Sequence, residues 1–196
     1  MAGRAAGGAS NPRLVAREAR IEPTEVGLVP VGDDGWFVLN ARDGRWRVWE
    51  GVGARLSFEG DIDFAQLGVN LVVLAPGEPI GMYHLEVDQE DFLVVAGEAL
   101  LIVEGVERPL RAWDFVHCPP GTAHMVVGAG DGPCVVIAVG AREHRDEPQA
   151  IRYPVDQLAL RHRAGAREET SDPRAAYAHL PARRWSGYRE GWLPTE

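Results

Sequence analysis

The chain has 196 residues, of which 45% are hydrophobic and 25% are charged, which is ordinary for one globular domain with its own core. Its formal net charge is -9 at pH 7, every cationic side chain is Arg, and residues 21–140 hold 6 Arg against 19 acidic residues. Without a basic stripe the chain is not expected to bind nucleic acid, and no apolar run approaches the roughly 20 residues that span a bilayer.

The N-terminal residues, "MAGRAAGGASNP", are rich in Gly and Ala and lack the apolar core of a secretory signal. We predict a disordered leader over residues 1–12, an N-terminal arm over residues 13–35 and a cytoplasmic location. The two cysteines, Cys118 and Cys134, have no CxxC spacing, so we expect two buried thiols, with a single disulfide as the alternative.

Short apolar runs separated by turn residues dominate residues 36–140. They include "WFVLN", "GVNLVVL", "DFLVV", "ALLIVEG", "HMVVG" and "CVVIAVG", and they are rich in Val, Ile, Leu and Phe. Turn signals such as "RDG", "APGEP", "PPG" and "GAGDGP" lie between them. This succession of short strands predicts an all-β barrel or sandwich.

The C-terminal residues, 141–196, have a different character. The segment "SDPRAAYAHL" carries a helix start, with Asp172 as N-cap and Pro173 at the first helical position, so it predicts a short C-terminal helix. The segment is too polar for a core of its own. We therefore predict an extension that packs on the barrel.

Four side chains are candidates for one metal site. His84 and Glu86 are two residues apart and so share one face of a strand, and Glu90 begins the next strand of a predicted hairpin. His124 follows the turn "PPG" and starts another strand. Two imidazoles and two carboxylates in one pocket are a typical ligand set for a divalent ion.

The spacing of these residues resembles the two motifs of the cupin family. The first motif is G, five or six residues, H-x-H, three or four residues, E, six residues, G, and residues 77–97 match it with Glu86 in place of the second His. The second motif is G-x5-P-x-G-x2-H-x3-N, and residues 119–124 match its centre. Trp113 stands at its first Gly and Gly128 at its Asn.

The resemblance implies a cupin-type double-stranded β-helix, a jelly-roll barrel, over residues 36–140. It implies a divalent metal ion, Zn, Fe or Mn, held by His84, Glu90 and His124. We expect Glu86 to be the fourth ligand; the alternative is that it bonds a neighbour or acts as a base beside the metal. Two carboxylates and two neutral imidazoles would bring the net charge of a divalent site to about zero, which weakens the ion as a Lewis acid.

The resemblance leaves the reaction open, and no catalytic residue is assigned. We expect a metalloenzyme of the dioxygenase or isomerase type that acts on a small organic molecule in the barrel. The alternative is a non-enzymatic protein that binds or senses a small molecule. The family also implies a homodimer.

The surroundings of the site carry further alternatives. Met82, Phe92 and Trp113 are expected to line the pocket or to pack in the core. Arg183, Arg184 and Arg189 of the extension are expected to form a solvated surface rather than to gate the pocket for anions.

Overall fold

The computed structural model describes residues 17–32, 35–60 and 63–195, so the predicted leader over residues 1–12 lies outside the described residues. The strands are β1 Arg20–Thr24, β2 Gly27–Val31, β3 Trp46–Trp49, β4 Val52–Ser57, β5 Leu67–Leu74, β6 Leu85–Glu86, β7 Glu90–Ala96, β8 Glu98–Val103, β9 Val106–Arg111, β10 Phe115–Cys118, β11 His124–Ala129, β12 Cys134–Ala141, β13 Ile151–Arg152 and β14 Arg184–Ser186. The helices are α1 Gln157–Arg161 and α2 Pro173–Ala176.

Antiparallel pairing joins these strands into two main sheets. The larger sheet has seven strands in the order β10-β7-β12-β5-β4-β3-β14, and the smaller has three in the order β11-β8-β9. Two further pairs, β1–β2 and β13–β6, complete the β structure of the described residues. The predicted all-β jelly-roll barrel is confirmed.

The main core lies between the two sheets because successive strand residues point to opposite faces. Val72 of β5, Val94 of β7 and Val136 of β12 are fully buried on the inner face of the larger sheet. Met125 and Val126 of β11 are also fully buried in this core. Most apolar runs of the sequence thus form the walls of one barrel, whereas "WFVLN" forms no strand.

A second core lies on the outer face of the larger sheet. Trp46 is fully buried there, with its ring centroid 5.0 Å from that of Trp192 and 6.4 Å from that of Tyr188. Strand β14 extends the same sheet by pairing with β3. Residues near the C-terminus therefore cover apolar surface that the barrel would otherwise expose.

Both helices lie after residue 140. The predicted short helix is α2, where the Asp172 side chain accepts a hydrogen bond from the Arg174 backbone N–H at 2.9 Å. Helix α1 was not predicted, and its N-cap, Asp156, accepts from the Ala159 N–H at 2.7 Å. The residue limits predicted for arm, barrel and extension stay predictions.

Three other sequence expectations can be compared with the described residues. Cys118 and Cys134 are both buried and not bonded to each other, as expected. No helix in the described ranges has the length and apolar character to span a lipid bilayer. Large apolar side chains remain exposed on the end strands of both main sheets, where Val106 of β9 is 59% exposed and Phe115 of β10 is 65% exposed.

Candidate metal centre

The two candidate histidines are brought together by the backbone. His84 and His124 face each other across an antiparallel bridge, in which His124 N–H donates to His84 O at 2.9 Å and His84 N–H donates to His124 O at 3.3 Å. Directly opposed residues place their side chains on one face. The imidazole centroids are accordingly 5.1 Å apart.

Glu90 reaches both imidazoles from the opposite sheet. Its Oε2 lies 3.0 Å from His84 Nε2 and 3.1 Å from His124 Nε2. Gly140 of β12 pairs with Glu90, and a Cβ at Gly140 would lie 3.6 Å from Glu90 Oε1, an ordinary van der Waals distance. The three donor groups lie within 4.8 Å of one another, which is a compact set of potential metal ligands.

The hydrogen bonds of the outer ring nitrogens orient both imidazoles toward a cation. His84 Nδ1 lies 2.7 Å from Met82 O, and His124 Nδ1 lies 2.9 Å from Thr122 O. Because a carbonyl only accepts, each Nδ1 carries the hydrogen, so a neutral ring presents the lone pair of Nε2 to Glu90. In the neutral ring the buried His124 Nε2 has no hydrogen-bond partner, because Glu90 Oε2 at 3.1 Å can only accept. Two lone pairs facing one carboxylate oxygen require a positive charge, either protons on Nε2 or a metal ion.

The pKa values of the two histidines also indicate that positive charge is favoured beside Glu90. Burial lowers the pKa of His84, but the charge of Glu90 and the hydrogen bonds to Glu86 and Glu90 outweigh it and raise the pKa to about 10. Burial likewise opposes the shift at His124, where hydrogen bonds to Cys118 and Glu90 raise the pKa to about 9. Although burial raises the pKa of Glu90, the charge of His84 and the hydrogen bonds to both histidines hold it far below its usual range. The pocket therefore favours cationic charge beside an ionised carboxylate.

Glu86 lies at the edge of this group. Its Oε1 is 3.5 Å from His84 Nε2, and 28% of its side chain is exposed. It lines the same cavity as His84 and Glu90 but is not part of the compact set of three donors. Whether it ligates a metal, as predicted from the sequence, or acts beside one stays a prediction.

Backbone contacts fix the loop that precedes His124. Gly121, with φ of 82°, donates its N–H to Glu86 O at 2.7 Å. The Ala123 N–H donates to Glu104 Oε1 at 2.6 Å. The turn "PPG" therefore ties the second motif to the strand that carries the first.

The two other departures from the family motifs have physical reasons in the backbone. Trp113 has φ of 75°, the left-handed region that glycine occupies without strain, and the Trp side chain is 73% exposed. At Gly128 a Cβ would lie 2.4 Å from the backbone oxygen of Ala75, so no larger residue fits. Trp113 lies in a turn and Gly128 lies within β11, and neither supplies a ligand.

Two of the three donors, His84 and Glu90, line a cavity of about 370 Å³. Phe92 lines it, whereas Met82 is fully buried in a core cluster away from it. Trp113 neither lines the cavity nor packs in a core, so both expectations for this residue are wrong. The remaining wall is formed by Arg55, Gly68, Asn70, Ile80, Gly81, His84, Glu86, Glu90, Met125, Ala138, Gly140, Ala141, Arg142, Arg145, Ile151, Tyr153 and Tyr177.

Six polar residues of this wall were missed from the sequence: Arg55, Asn70, Arg142, Arg145, Tyr153 and Tyr177. The Tyr153 ring centroid is 5.8 Å from that of His84, and burial raises the pKa of Tyr153, so its hydroxyl stays protonated at neutral pH. The Tyr177 hydroxyl accepts a hydrogen bond from the Met82 N–H at 3.0 Å. Residues after position 140 therefore help to build the cavity as well as to cover the barrel.

Comparison with known proteins adds a family to this geometry. Residues 70–140 match the family model described as "Cupin domain". No curated protein matches the chain.

Several solved structures are similar to part of the chain. A cupin 2 conserved barrel domain protein from Salinispora arenicola CNS-205 is 28% identical, over 46% of this chain and 76% of that chain, with a TM-score of 0.42. A provisionally named sugar phosphate isomerase from Acidithiobacillus ferrooxidans ATCC 23270 is 24% identical, over 47% of this chain and 61% of that chain, with a TM-score of 0.40. The DMSP lyase DddQ from Ruegeria pomeroyi DSS-3 is 23% identical, over 51% of this chain and 50% of that chain, with a TM-score of 0.42. This chain thus covers less than two thirds of the last two, and these likenesses assign it no activity.

Proposed function

Because residues 70–140 match the family model of the cupin domain, we propose that this chain is a metal-dependent enzyme acting on a small organic molecule inside the barrel. The observation that carries the proposal is the convergence of two Nε2 atoms and one carboxylate oxygen beside a cavity that His84 and Glu90 line. Sites of this kind combine a few polar groups with an apolar enclosure.

The donor set fits a divalent transition metal. Imidazole nitrogen and carboxylate oxygen suit Zn, Fe and Mn, and both imidazoles present the tautomer that metal ligation needs. The buried, unpartnered Nε2 of His124 is satisfied by such an ion. His84, Glu90 and His124 would hold the ion, with Glu86 as a fourth ligand or as a neighbouring base.

Once bound, the ion would supply positive charge to an oxygen atom of the substrate. Glu86 is half-buried in the cavity wall and is placed to accept a proton from a substrate carbon or hydroxyl. Tyr153 retains its proton and can donate a hydrogen bond on the same side. These residues support proton transfer of the isomerase type better than they support oxidation, and dioxygenase chemistry is the alternative within the same proposal.

Metal content tests the proposal first. We expect His84→Ala and His124→Ala each to lose most of the bound metal after purification, measured by inductively coupled plasma mass spectrometry. His117→Ala is the matched control, because His117 bonds Asp91 on the exposed side of β10 and is half exposed. Full metal content in both site variants would overturn the proposal.

Activity separates the enzyme from a protein that only binds. We expect metal-loaded protein to exchange a substrate C–H hydrogen with deuterium in a screen of small hydroxy- and oxo-compounds, and Glu86→Gln to lose exchange while keeping its metal. Oxygen uptake in the presence of Fe(II) would instead assign a dioxygenase. Tight binding of a small molecule without turnover of any kind would favour the non-enzymatic alternative.

Assembly and location belong to the same proposal. We expect a homodimer, and the exposed apolar side chains Val106 of β9 and Phe115 of β10 are candidates for its interface. Sedimentation velocity with a Phe115→Asp variant tests this, since a monomeric wild type would contradict it. The cytoplasmic location stays a prediction from the sequence.

A further inference from the structure

A second cavity, of about 210 Å³, adjoins the metal cavity and is lined by three arginines: Arg47, Arg55 and Arg183. The two cavities share Arg55, Ile80 and Tyr177 as wall residues. The rest of its lining is Trp49, Val52 and Pro173, so no acidic residue contributes to it from the part of the chain that the structure describes. We call these three side chains the arginine triad.

The charges of the arginine triad are not neutralised by the protein. Within the described ranges, no carboxylate lies within 4.0 Å of the guanidinium nitrogens of Arg47, Arg55 or Arg183. Arginines without an acidic neighbour are unusual in this chain, because acidic residues outnumber basic ones and the net charge is -9. By contrast, Arg142 and Arg145 at the metal cavity are paired with Glu59 and Asp63 respectively.

The triad is held in place by contacts that leave its positive charge intact. The Arg47 guanidinium lies 5.7 Å from the centroid of the Trp185 ring, and that of Arg183 lies 4.8 Å from the centroid of the Trp49 ring. Arg55 donates from Nη2 to the Ile80 backbone oxygen at 3.0 Å. Aromatic faces and carbonyl oxygens orient a guanidinium without neutralising it.

The close approach of the triad's positive charges lowers the stability of the folded protein. Arg47 and Arg55 are directly paired across β3 and β4, and like charges in that relation are destabilising. Burial, together with the charges of Arg55 and Arg183, lowers the pKa of Arg47. A group of cations that repel one another in a recess is the arrangement expected where an anion binds.

We propose that the arginine triad is an anion-binding subsite, and that the substrate of the metal centre is a small organic anion with a carboxylate or phosphate group. This inference rests on the proposed function, because it places the anionic group at Arg47, Arg55 and Arg183 and the reacting end beside His84 and Glu90. Arg55 lines both cavities and so marks where the two parts of the substrate meet.

Isothermal titration calorimetry of the purified full-length protein tests the subsite, with inorganic phosphate and succinate as separate probes. We expect binding that weakens as salt is raised, and at least tenfold weaker binding in Arg47→Gln and Arg183→Gln. Arg108→Gln is the control, because Arg108 is exposed on β9 and lies outside both cavities. Tighter binding of phosphate assigns a phosphate ester, and tighter binding of succinate assigns a carboxylic acid.

Thermal unfolding of the same variants guards against a misfolded protein. Arg47→Gln should raise the melting temperature, since it removes the repulsion with Arg55, while it lowers anion binding. Wild-type protein that binds neither anion, or triad variants that bind as well as wild type, would overturn the subsite. Metal content measured on the same samples distinguishes the two proposals. Protein that holds its full metal content but binds no anion contradicts only the subsite. Protein that binds the anion but holds no metal contradicts only the proposed metal-dependent enzyme.

Discussion

Adding Zn(II) to the metal-free protein at pH 7 should release about two protons. In the metal-free protein the pKa of His84 is raised to about 10 and that of His124 to about 9, so both imidazoles carry a proton on Nε2 at neutral pH. A metal ion binds only the neutral nitrogen. Each histidine must therefore give up its proton as the ion enters.

The magnitude follows from the two pKa values. While both histidines are protonated, each unit by which the pH falls should weaken Zn(II) binding by a factor of about 100, or about 2.7 kcal/mol. The dependence should halve above pH about 9 and disappear above pH about 10, as His124 and then His84 lose their protons without metal. Lowering the pH therefore weakens Zn(II) binding, and raising the pH strengthens it.

Calorimetric titration in buffers of different ionisation enthalpy measures the number of protons directly. His117→Ala should release the same number as wild type, because His117 lies outside the donor group. His124→Ala should bind Zn(II) weakly and release about one proton. Tight binding without proton release would refute the reasoning, since it would place the ion away from these histidines.

Three further predictions concern stability. Trp113→Gly should raise the free energy of unfolding by about 1 kcal/mol in urea titrations, because Gly adopts φ of 75° without strain and Trp113 is largely exposed; lower stability would contradict this. Gly128→Asn should lower the free energy of unfolding by about 2 kcal/mol, since a Cβ at Gly128 would lie 2.4 Å from a backbone atom. Gly132→Asn is the control, because a Cβ at Gly132 has open space and should change the stability little. Equal losses in the two variants would count against the packing argument. Asp88→Asn should lose the ion pair of Asp88 with His144, whose atoms are 2.6 Å apart and which holds the pKa of Asp88 below its usual value. The variant should therefore be less stable than wild type at pH 7. The two stabilities should converge as acid protonates Asp88 in the wild type. A difference that persists unchanged at pH 2 would show another cause.

The candidate site was readable from the sequence where local rules fix it. His84 and Glu90 are six residues apart, and strand alternation with the turn between them decides which face each side chain takes. The predicted hairpin is wrong, because β6 pairs with β13 and β7 pairs with β10 and β12. The turn "PPG" similarly sets the start of β11 and so the place of His124. The alternation of side chains along a strand and the residue preferences of turns act within a few residues, so both can be recognised in a single sequence.

The other walls of the cavity could not be predicted in the same way. Arg55 reaches the cavity because β4 pairs with β5, and Tyr177 reaches it because its hydroxyl meets the Met82 backbone, 95 residues away in sequence. No local pattern in "RAAYAH" distinguishes an inward tyrosine from a solvated one. Arg183, Arg184 and Arg189 are exposed, as expected from the sequence. Only the strand order, which places β14 beside β3, brings Arg183 into the cavity that Arg47 also lines.

The location of the metal tests the account most directly. Anomalous diffraction from crystals grown with Zn(II), measured on both sides of the zinc absorption edge, reports where the ion sits. We predict one strong peak within bonding distance of His84 Nε2, His124 Nε2 and a carboxylate oxygen of Glu90. A peak at any other position, or no peak in crystals of protein shown to be folded, would contradict the central claim.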